Sequence, residues 1–361
     1  MSQSLNFHWF RRDLRLHDNA SLYAALNSGK PVQSVFIFDK TILNRLENKN
    51  DARVSFLHDT LTQLDFELQK NGGKLWIEYG TPIEVWKKLA RENKIETVFC
   101  NRDYEPLAIG RDNQVMEFLA DTGIKFKQYK DQVIFEHDEV VKDDGKPYTV
   151  YTPFGKKWRK RYALEGCPDY KSEKLLKNIN QTSEGRNWTL EEIGFTRSSI
   201  LIPAYTKEIE DYNTTRDVPS LDGTSKLGPH LRFGTVSVRR IASYAEKKND
   251  TFFGELIWRE FFMQILWHFP NVVTDSFKSK YEGIKWLNNE AHFEKWCKGE
   301  TGYPFVDAGM RELNATGHMH NRARMITASF LVKHLLIDWR WGEAYFAAKL
   351  NDFELSSNNG N

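Results

Sequence analysis

The chain has 361 residues, 40% of them hydrophobic and 14% aromatic, which is enough apolar material to fill the cores of two domains. Its 51 basic residues are nearly balanced by 49 acidic ones, so charge alone does not indicate a nucleic-acid-binding protein. No run of about 18 apolar residues that could span a bilayer occurs. The three cysteines are odd in number and lack CxxC spacing, which argues against a disulfide framework and a zinc site. We therefore expect a soluble, cytoplasmic protein, monomeric and without a membrane or metal partner.

Over the first 130 residues, short apolar runs alternate with amphipathic segments, a pattern typical of an α/β domain. The pattern predicts strands near 6–10, 33–38, 74–79, 97–101 and 125–128. It predicts helices near 19–27, 52–70, 83–92 and 110–121. Crossovers of this length predict a parallel, doubly wound, Rossmann-like sheet with helices on both faces. No GxGxxG follows the first strand, so the usual dinucleotide fingerprint is absent.

The periodicity breaks down from 131 to 200, where turn signals such as DDGKP predict a long interdomain connector. Beyond residue 201 the strand pattern does not return, which predicts an all-α domain. The expected domains are thus 1–130, the connector 131–200, and 201–361. Basic residues cluster in GKKWRKRY (155–162) and at Arg232, Arg239 and Arg240, where a DNA contact and an ordinary solvated surface both stay open.

Polar residues at helical spacing interrupt two apolar segments of the C-terminal part. In GELIWREFFMQILWHF (254–269), Glu255, Trp258 and Arg259 share one face, either as an i,i+4 ion pair or as the wall of a ligand cavity. A helix over 321–333 would place Asn321 and Arg324 on one face, directed to a ligand or to water. The loop DGTSKLG (222–228) suits a diphosphate or a simple N-cap, and LNDFELSSNNGN (350–361) offers carboxylates for an arginine or a solvent-exposed helix end.

Taken together, these blocks resemble the photolyase/cryptochrome flavoproteins, most closely the class I cyclobutane pyrimidine dimer DNA photolyases. The resemblance rests on HWFRRDLRLHDN, GTSKLGPHLRFGTVS, GELIWREFF, ETGYPFVDAGMREL, HMHNRARMITASFLVKHLLIDWRWGE and DFELSSNNGN, which occur in the family's order along the whole chain. It implies an α/β domain followed by a helical FAD-binding domain. The implied reaction is light-driven DNA repair by electron transfer from excited reduced FAD, and the alternative is a cryptochrome-like blue-light photoreceptor without lyase activity.

The resemblance also assigns cofactor residues by motif position. The segment around the flavin phosphates and ribose would comprise Tyr212, Thr224, Ser225, Lys226, Leu227 and Gly228. Residues at the isoalloxazine edge would comprise Arg324, Asp352, Phe353 and Glu354, with Asn358 at N5. A second, antenna chromophore of unknown identity is expected, and NRDYEPLAIGRD (101–112) lacks the Asn-Glu pair of a folate-type site.

The implied partner is UV-damaged DNA with the pyrimidine dimer flipped out of the duplex. Residues facing the dimer or passing electrons would be Glu255, Trp258, Asn321, Met325, Trp286 and Trp339. We expect Glu255 to be protonated in an apolar pocket so that it donates to a pyrimidine carbonyl. Residues contacting DNA phosphates would be Arg216, Arg259 and Arg322.

Three positions depart from the family pattern. Glu354 stands where aspartate is usual, and His318 stands where tryptophan is common. Family members continue past the NNG block with a tryptophan-rich segment, whereas this sequence ends at Asn361, so we expect a C-terminally incomplete chain.

Overall fold

The computed structural model describes residues 4–360. The chain divides into two compact units. The first comprises residues up to 139 together with 159–199 and 233–244. The second comprises 140–158, 200–232 and the residues from 245 onward. Among residues 4–360 no helix is both long and apolar enough to cross a membrane.

A five-stranded parallel sheet forms the centre of the first unit, in the order β3-β2-β1-β4-β5. The strands are β1 (Leu5–Phe10), β2 (Val32–Asp39), β3 (Trp76–Gly80), β4 (Ile95–Asn101) and β5 (Lys125–Tyr129). The helices between them are α1 (Ala20–Leu26), α2 (Lys40–Leu43), α3 (Ala52–Gln69), α4 (Pro82–Glu92) and α5 (Pro106–Asp121). The predicted doubly wound α/β arrangement and all five predicted strands are confirmed.

Each face of this sheet has its own apolar core. On one face, Phe10 and Phe36 of the strands pack with Leu22 of α1 and Leu61 of α3. On the other face, Phe7, Trp9 and Val35 pack with Trp86 of α4 and Leu119 of α5. Alternate strand residues point to opposite faces, and both faces are covered, which is why the central strands β1, β2 and β4 are almost entirely buried.

The predicted connector contains a helix that the sequence reading missed, α6 (Tyr151–Glu165). This helix contains the basic run GKKWRKRY, and one residue of that run, Trp158, faces inward. Trp158 is 0% exposed and its indole Nε1 donates to Glu260 at 2.6 Å. Lys157 in turn pairs with Asp143 at 2.8 Å. Part of the basic run is therefore structural.

Arg239 likewise is not a surface cation but a buried one. Its guanidinium lies 3.1 Å from Asp18 and 2.8 Å from Asp131, and Arg15 pairs with the same Asp131 at 2.7 Å. Burial alone would raise the pKa of Asp131, but Arg15 and Arg239 hold it below its ordinary value. The pairs join residues 233–244 to the loops that follow β1 and β5, within the first unit. Arg240, at the surface, pairs with Asp169 at 3.1 Å.

The second unit is helical, as predicted. Its helices include α7 (Tyr212–Thr215), α8 (Gly228–Phe233), α10 (Asp250–His268), α11 (Glu290–Lys298), α12 (Pro304–Thr316), α13 (Asn321–Lys333), α14 (Trp339–Lys349) and α15 (Leu355–Gly360); α9 (Val238–Lys248) precedes α10. A core of Trp296, Met310, Phe330 and Phe346 holds α11 to α14 together. The helix predicted over 321–333 is confirmed with the same bounds. Its N-cap is His320, whose ring accepts a hydrogen bond from the Arg322 amide.

Candidate functional site

An arginine–aspartate pair joins α13 to the segment between α14 and α15. Arg324 Nη2 lies 3.2 Å from both carboxylate oxygens of Asp352 and also donates to the Met319 carbonyl at 3.2 Å. The two side chains are 19% and 18% exposed, so the pair is largely withdrawn from water. Gly228 lies against Asp352, where a Cβ atom would come within 2.7 Å of the carboxylate. The predicted Arg324–Asp352 partnership is therefore present, and a side chain at 228 would clash with it.

The loop that precedes α8 is held in a defined conformation. Lys226 has a positive φ of 54°, and the Ser225 carbonyl accepts from the Thr206 amide at 2.9 Å. The Lys226 ammonium pairs with Asp222 at 3.0 Å and lies 3.4 Å from Nε2 of His318. Burial lowers the pKa of His318, and Lys226 lowers it further. His318 thus contacts the loop predicted to hold phosphate, at the position where the family pattern has tryptophan.

Buried polar atoms on these segments test whether a flavin cofactor fits. Within residues 4–360, Thr224 Oγ1, Arg324 Nε and Ser356 Oγ are buried without a hydrogen-bond partner from the protein. Buried polar atoms are almost always hydrogen-bonded, because an unsatisfied one costs about 1–3 kcal/mol. Their presence on three separate segments of the predicted cofactor site fits a bound group that is rich in acceptors and donors, as FAD is.

Glu354 is buried beside two arginines. Its carboxylate lies 3.8 Å from Arg232 and 3.9 Å from Arg259. Arg259 was predicted to reach a DNA phosphate, yet its side chain is mostly buried and directed to this carboxylate. The longer acid at position 354 thus lies in a strongly cationic setting. Phe353, next to it, packs against the core of the helical unit.

Asn358 has a carboxylate neighbour that the sequence reading missed. Its side-chain amide donates to Glu343 of α14 at 3.1 Å, which fixes the orientation of the amide. Burial raises the pKa of Glu343, while the hydrogen bond from Asn358 opposes that shift. Glu343 lies in the motif WRWGE, four residues after Trp339, and its polar character inside an aromatic run was the available signal.

Glu255 lies in an ionic rather than an apolar environment. One carboxylate oxygen is 2.5 Å from Arg216 Nη1, and the side chain is 35% exposed. Asp217, which the sequence reading did not single out, contacts Arg216 at 3.5 Å and Arg322 at 2.7 Å. Two of the three arginines predicted for phosphate contacts, Arg216 and Arg322, therefore meet carboxylates of the protein itself. Tyr212 lies under Arg216, 5.4 Å from the guanidinium to the ring centre.

The remaining predicted lesion residues lie on α13 and α10. Asn321 and Met325 are both exposed, and the asparagine amide contacts the methionine sulfur at 3.7 Å. Trp258 is stacked on Tyr151, with ring centres 3.5 Å apart and planes 7° from parallel. One face of this indole is thus covered by the protein, and its other neighbours are Phe261 and Phe262.

Two tryptophans were predicted to carry electrons. Trp339 begins α14, where Arg340 lies 4.8 Å from its ring and the indole Nε1 is buried without a partner within residues 4–360. Trp286 lies half-buried in the loop before α11. Their predicted order in an electron path stays a prediction.

Comparison with known proteins identifies the family. Residues 6–173 match the DNA photolyase family, and residues 252–361 match the FAD binding domain of DNA photolyase. The chain is 35% identical over 387 residues to the deoxyribodipyrimidine photo-lyase of Halobacterium salinarum, covering 98% of this chain and 80% of that protein.

Solved structures give the same result. An archaeal photolyase from Sulfolobus tokodaii, whose crystal structure has two FAD molecules, superposes with a TM-score of 0.83 at 34% identity, over 99% of this chain and 81% of that one. A cryptochrome from Synechocystis superposes with a TM-score of 0.87 at 27% identity, over 100% of this chain and 81% of that one. The chain therefore belongs to the DNA photolyase family.

Proposed function

We propose that this protein repairs cyclobutane pyrimidine dimers in DNA with light, as a deoxyribodipyrimidine photo-lyase. The observation that carries the proposal is the 35% identity to a curated enzyme of that name, over 98% of this chain. The match includes both the DNA photolyase family region and the FAD binding domain.

The residues that would hold FAD are those around the Arg324–Asp352 pair and the loop before α8. Arg324 and Asp352 would fix the isoalloxazine edge, and Gly228 would leave room beside them. Thr224, Ser225 and Lys226 would bind the diphosphate with hydroxyls and a cation, while buried Leu227 anchors the loop. When bound and reduced, FAD supplies the light-excited electron donor that splits the cyclobutane ring. The orphaned Thr224 and Arg324 atoms support this assignment.

The protein's own residues would orient the flavin and the flipped pyrimidines and would make polar contacts with both. Asn358 would present its amide to the flavin in an orientation held by Glu343. Glu255 would have to exchange its contact with Arg216 for the polar edge of a pyrimidine when the dimer enters. Trp258, held flat by Tyr151, would give the flipped bases an aromatic surface of fixed orientation.

The macromolecular partner would be DNA that carries the dimer. Arg216 and Arg322 would contact phosphates next to the lesion, which would make binding depend on salt concentration. Arg259, held near Glu354, is a weaker candidate for that role. We expect the protein to act as a monomer on a dimer flipped out of the duplex.

Several finer assignments accompany the proposal. The domain division at residues 130 and 200, a cytoplasmic location and the electron path through Trp286 and Trp339 stay predictions. A second chromophore would be an antenna of unknown chemistry. The Sulfolobus tokodaii relative, with its two FAD molecules, supports the presence of such a group in this family without identifying it here.

Illumination of the reduced, FAD-loaded protein with two oligonucleotides tests the proposal. One oligonucleotide carries a cyclobutane thymine dimer and the other a (6-4) photoproduct, and intact thymines are counted by chromatography. We expect light-dependent recovery of thymines from the cyclobutane dimer alone. Flavin bleaching without recovery from either lesion would favour the photoreceptor alternative and contradict the proposal.

A further inference from the structure

Asp217 lies between the two arginines assigned to DNA phosphates. Arg322 approaches one oxygen of Asp217 through Nε at 2.8 Å and through Nη2 at 2.7 Å. Arg216 approaches the same oxygen through Nε at 3.5 Å. The carboxylate therefore occupies the donor edge of the Arg322 guanidinium, the edge with which arginine binds carboxylates and phosphates alike.

The place is accessible to a large partner. Asp217 is 55% exposed and Arg322 is 40% exposed, so no protein layer separates this ion pair from a DNA backbone. Hydrogen bonds from Arg322 lower the pKa of Asp217, so its side chain is a carboxylate at neutral pH. A phosphodiester and this carboxylate carry the same charge and accept from the same donors, so they compete.

We propose that Asp217 is a specificity-determining residue, an internal carboxylate that holds Arg322 and Arg216 until a DNA phosphate beside a flipped dimer displaces it. This inference rests on the proposed function, because it takes both arginines as phosphate contacts. A phosphate of regular duplex meets the arginines only if it displaces the carboxylate and tolerates its repulsion. Extrusion of a dimer rotates the damaged nucleotides about their backbone into a pocket of the protein.

The inference predicts which complex Asp217 weakens. The affinity for undamaged DNA depends essentially on phosphate contacts, so the whole cost of displacing the carboxylate reduces that affinity. Binding of a flipped dimer also uses base contacts in the lesion site, and its flanking phosphates are held in place. Asp217 would therefore improve discrimination by weakening the binding of undamaged DNA more than that of damaged DNA.

The test compares dissociation constants of the FAD-loaded protein, in the dark, for a duplex with one cyclobutane dimer and for the same duplex undamaged. Asp217→Asn should tighten binding of the undamaged duplex by up to about fivefold, the upper end of the range for an exposed charge pair, and tighten binding of the dimer duplex less. The ratio of the two constants should fall. Asp217→Glu, which keeps the carboxylate, should keep a ratio near that of the wild type.

Controls separate this effect from a change in net charge or folding. Asp211→Asn makes the same charge change at an exposed residue just before α7 and should leave the ratio unchanged. In an Arg322→Ala background, Asp217→Asn should lose most of its effect, because the two side chains act as a pair. If Asp217→Asn loses FAD or its cooperative melting transition, Asp217→Ser removes the same charge and takes its place.

Two results would overturn the inference. An unchanged ratio in Asp217→Asn would show that the carboxylate does not compete with phosphate, and weaker binding of both duplexes would show that Asp217 instead positions Arg322 for phosphate. A wild-type protein with no preference for the dimer duplex would contradict the proposed function itself, whatever Asp217→Asn does.

Discussion

Removal of the Arg324 guanidinium should weaken FAD binding by more than an order of magnitude. Arg324→Ala deletes the partner of Asp352 and the donor to the Met319 carbonyl. Breaking a fully buried ion pair costs about 3–5 kcal/mol, because one charge stays buried without its partner. The two side chains here are 19% and 18% exposed, so solvent screens part of that cost. That cost falls on folding, whereas FAD affinity would lose the hydrogen bond from Arg324 Nε, which has no protein partner within residues 4–360. A hydrogen bond from a charged donor contributes about 1.5–3 kcal/mol, so we expect a loss of roughly 2 kcal/mol, which corresponds to an FAD dissociation constant raised about 30-fold.

The assay is equilibrium titration of apoprotein with FAD, followed by flavin fluorescence, together with thermal unfolding of the apoprotein. Arg324→Lys should recover only part of the affinity, because a lysine keeps the charge but lacks the Nε–H donor, which in Arg324 has no partner from the protein within residues 4–360. Arg311→Ala removes an exposed arginine from α12 and should leave FAD affinity unchanged. Asp352→Asn should weaken binding as well, and the double variant should cost less than the sum of the two single changes.

The reasoning would be refuted by an Arg324→Ala protein that binds FAD as tightly as the wild type. A loss of folding before FAD is added would be a different failure, which the apoprotein melt detects. In that case Asp352→Asn alone, compared with Arg311→Ala, still decides whether the pair contributes to the cofactor site.

Three further predictions concern single side chains. Glu255→Ala should lower the repair yield per absorbed photon about fivefold to tenfold, because the lesion loses one hydrogen bond. The FAD content should stay unchanged, and a loss of FAD would show that Glu255 belongs to the cofactor site. Glu343→Ala should free the Asn358 amide and speed air re-oxidation of the reduced flavin about fivefold, as measured by stopped-flow absorbance. An unaltered rate would argue against a role of Glu343 in positioning Asn358. Burial lowers the pKa of His8 from 6.5 to about 3. Between these two pH values His8 is therefore neutral in the folded protein and protonated in the unfolded chain. The protein's stability should therefore fall as pH decreases from 6.5 toward about 3, and His8→Gln should flatten that part of a denaturation profile; an unchanged slope would exclude His8 as the cause.

Much of the fold could be predicted from local sequence patterns. The central strands β1, β2 and β4 were predictable because they are buried on both faces of the sheet, which leaves apolar runs between turn residues. The edge strand β5, KFKQY, has a weaker pattern in which Phe126 and Tyr129 are its only hydrophobic residues. Helix α13 was predictable from its spacing and flanking residues. Helix α6 was not, because its sequence reads as a charged surface and its buried Trp158 bonds to Glu260, 102 residues away.

In the candidate site, too, local motifs predicted some contacts, while contacts between distant residues were missed. The Arg324–Asp352 pair was expected because two recognisable blocks carry its members. The carboxylates Asp217 and Glu343 were missed, since an acid in a turn or a helix has no local signature of its partner. The pairing of Glu255 with Arg216 was likewise missed, because the two residues lie 39 positions apart along the chain. Pairing between distant polar residues is set by the packing of helices and not by sequence spacing.

The central claim is that light absorbed by this protein's reduced flavin splits a cyclobutane dimer in DNA. The most direct measurement is an action spectrum: the rate of dimer loss from a defined oligonucleotide at several wavelengths and equal photon flux, with a dark control. We predict no loss in the dark and a rate that follows the absorption of the bound cofactors across the wavelengths. Dimer loss in the dark, or no loss at wavelengths where the reduced, FAD-loaded protein absorbs, would contradict the account.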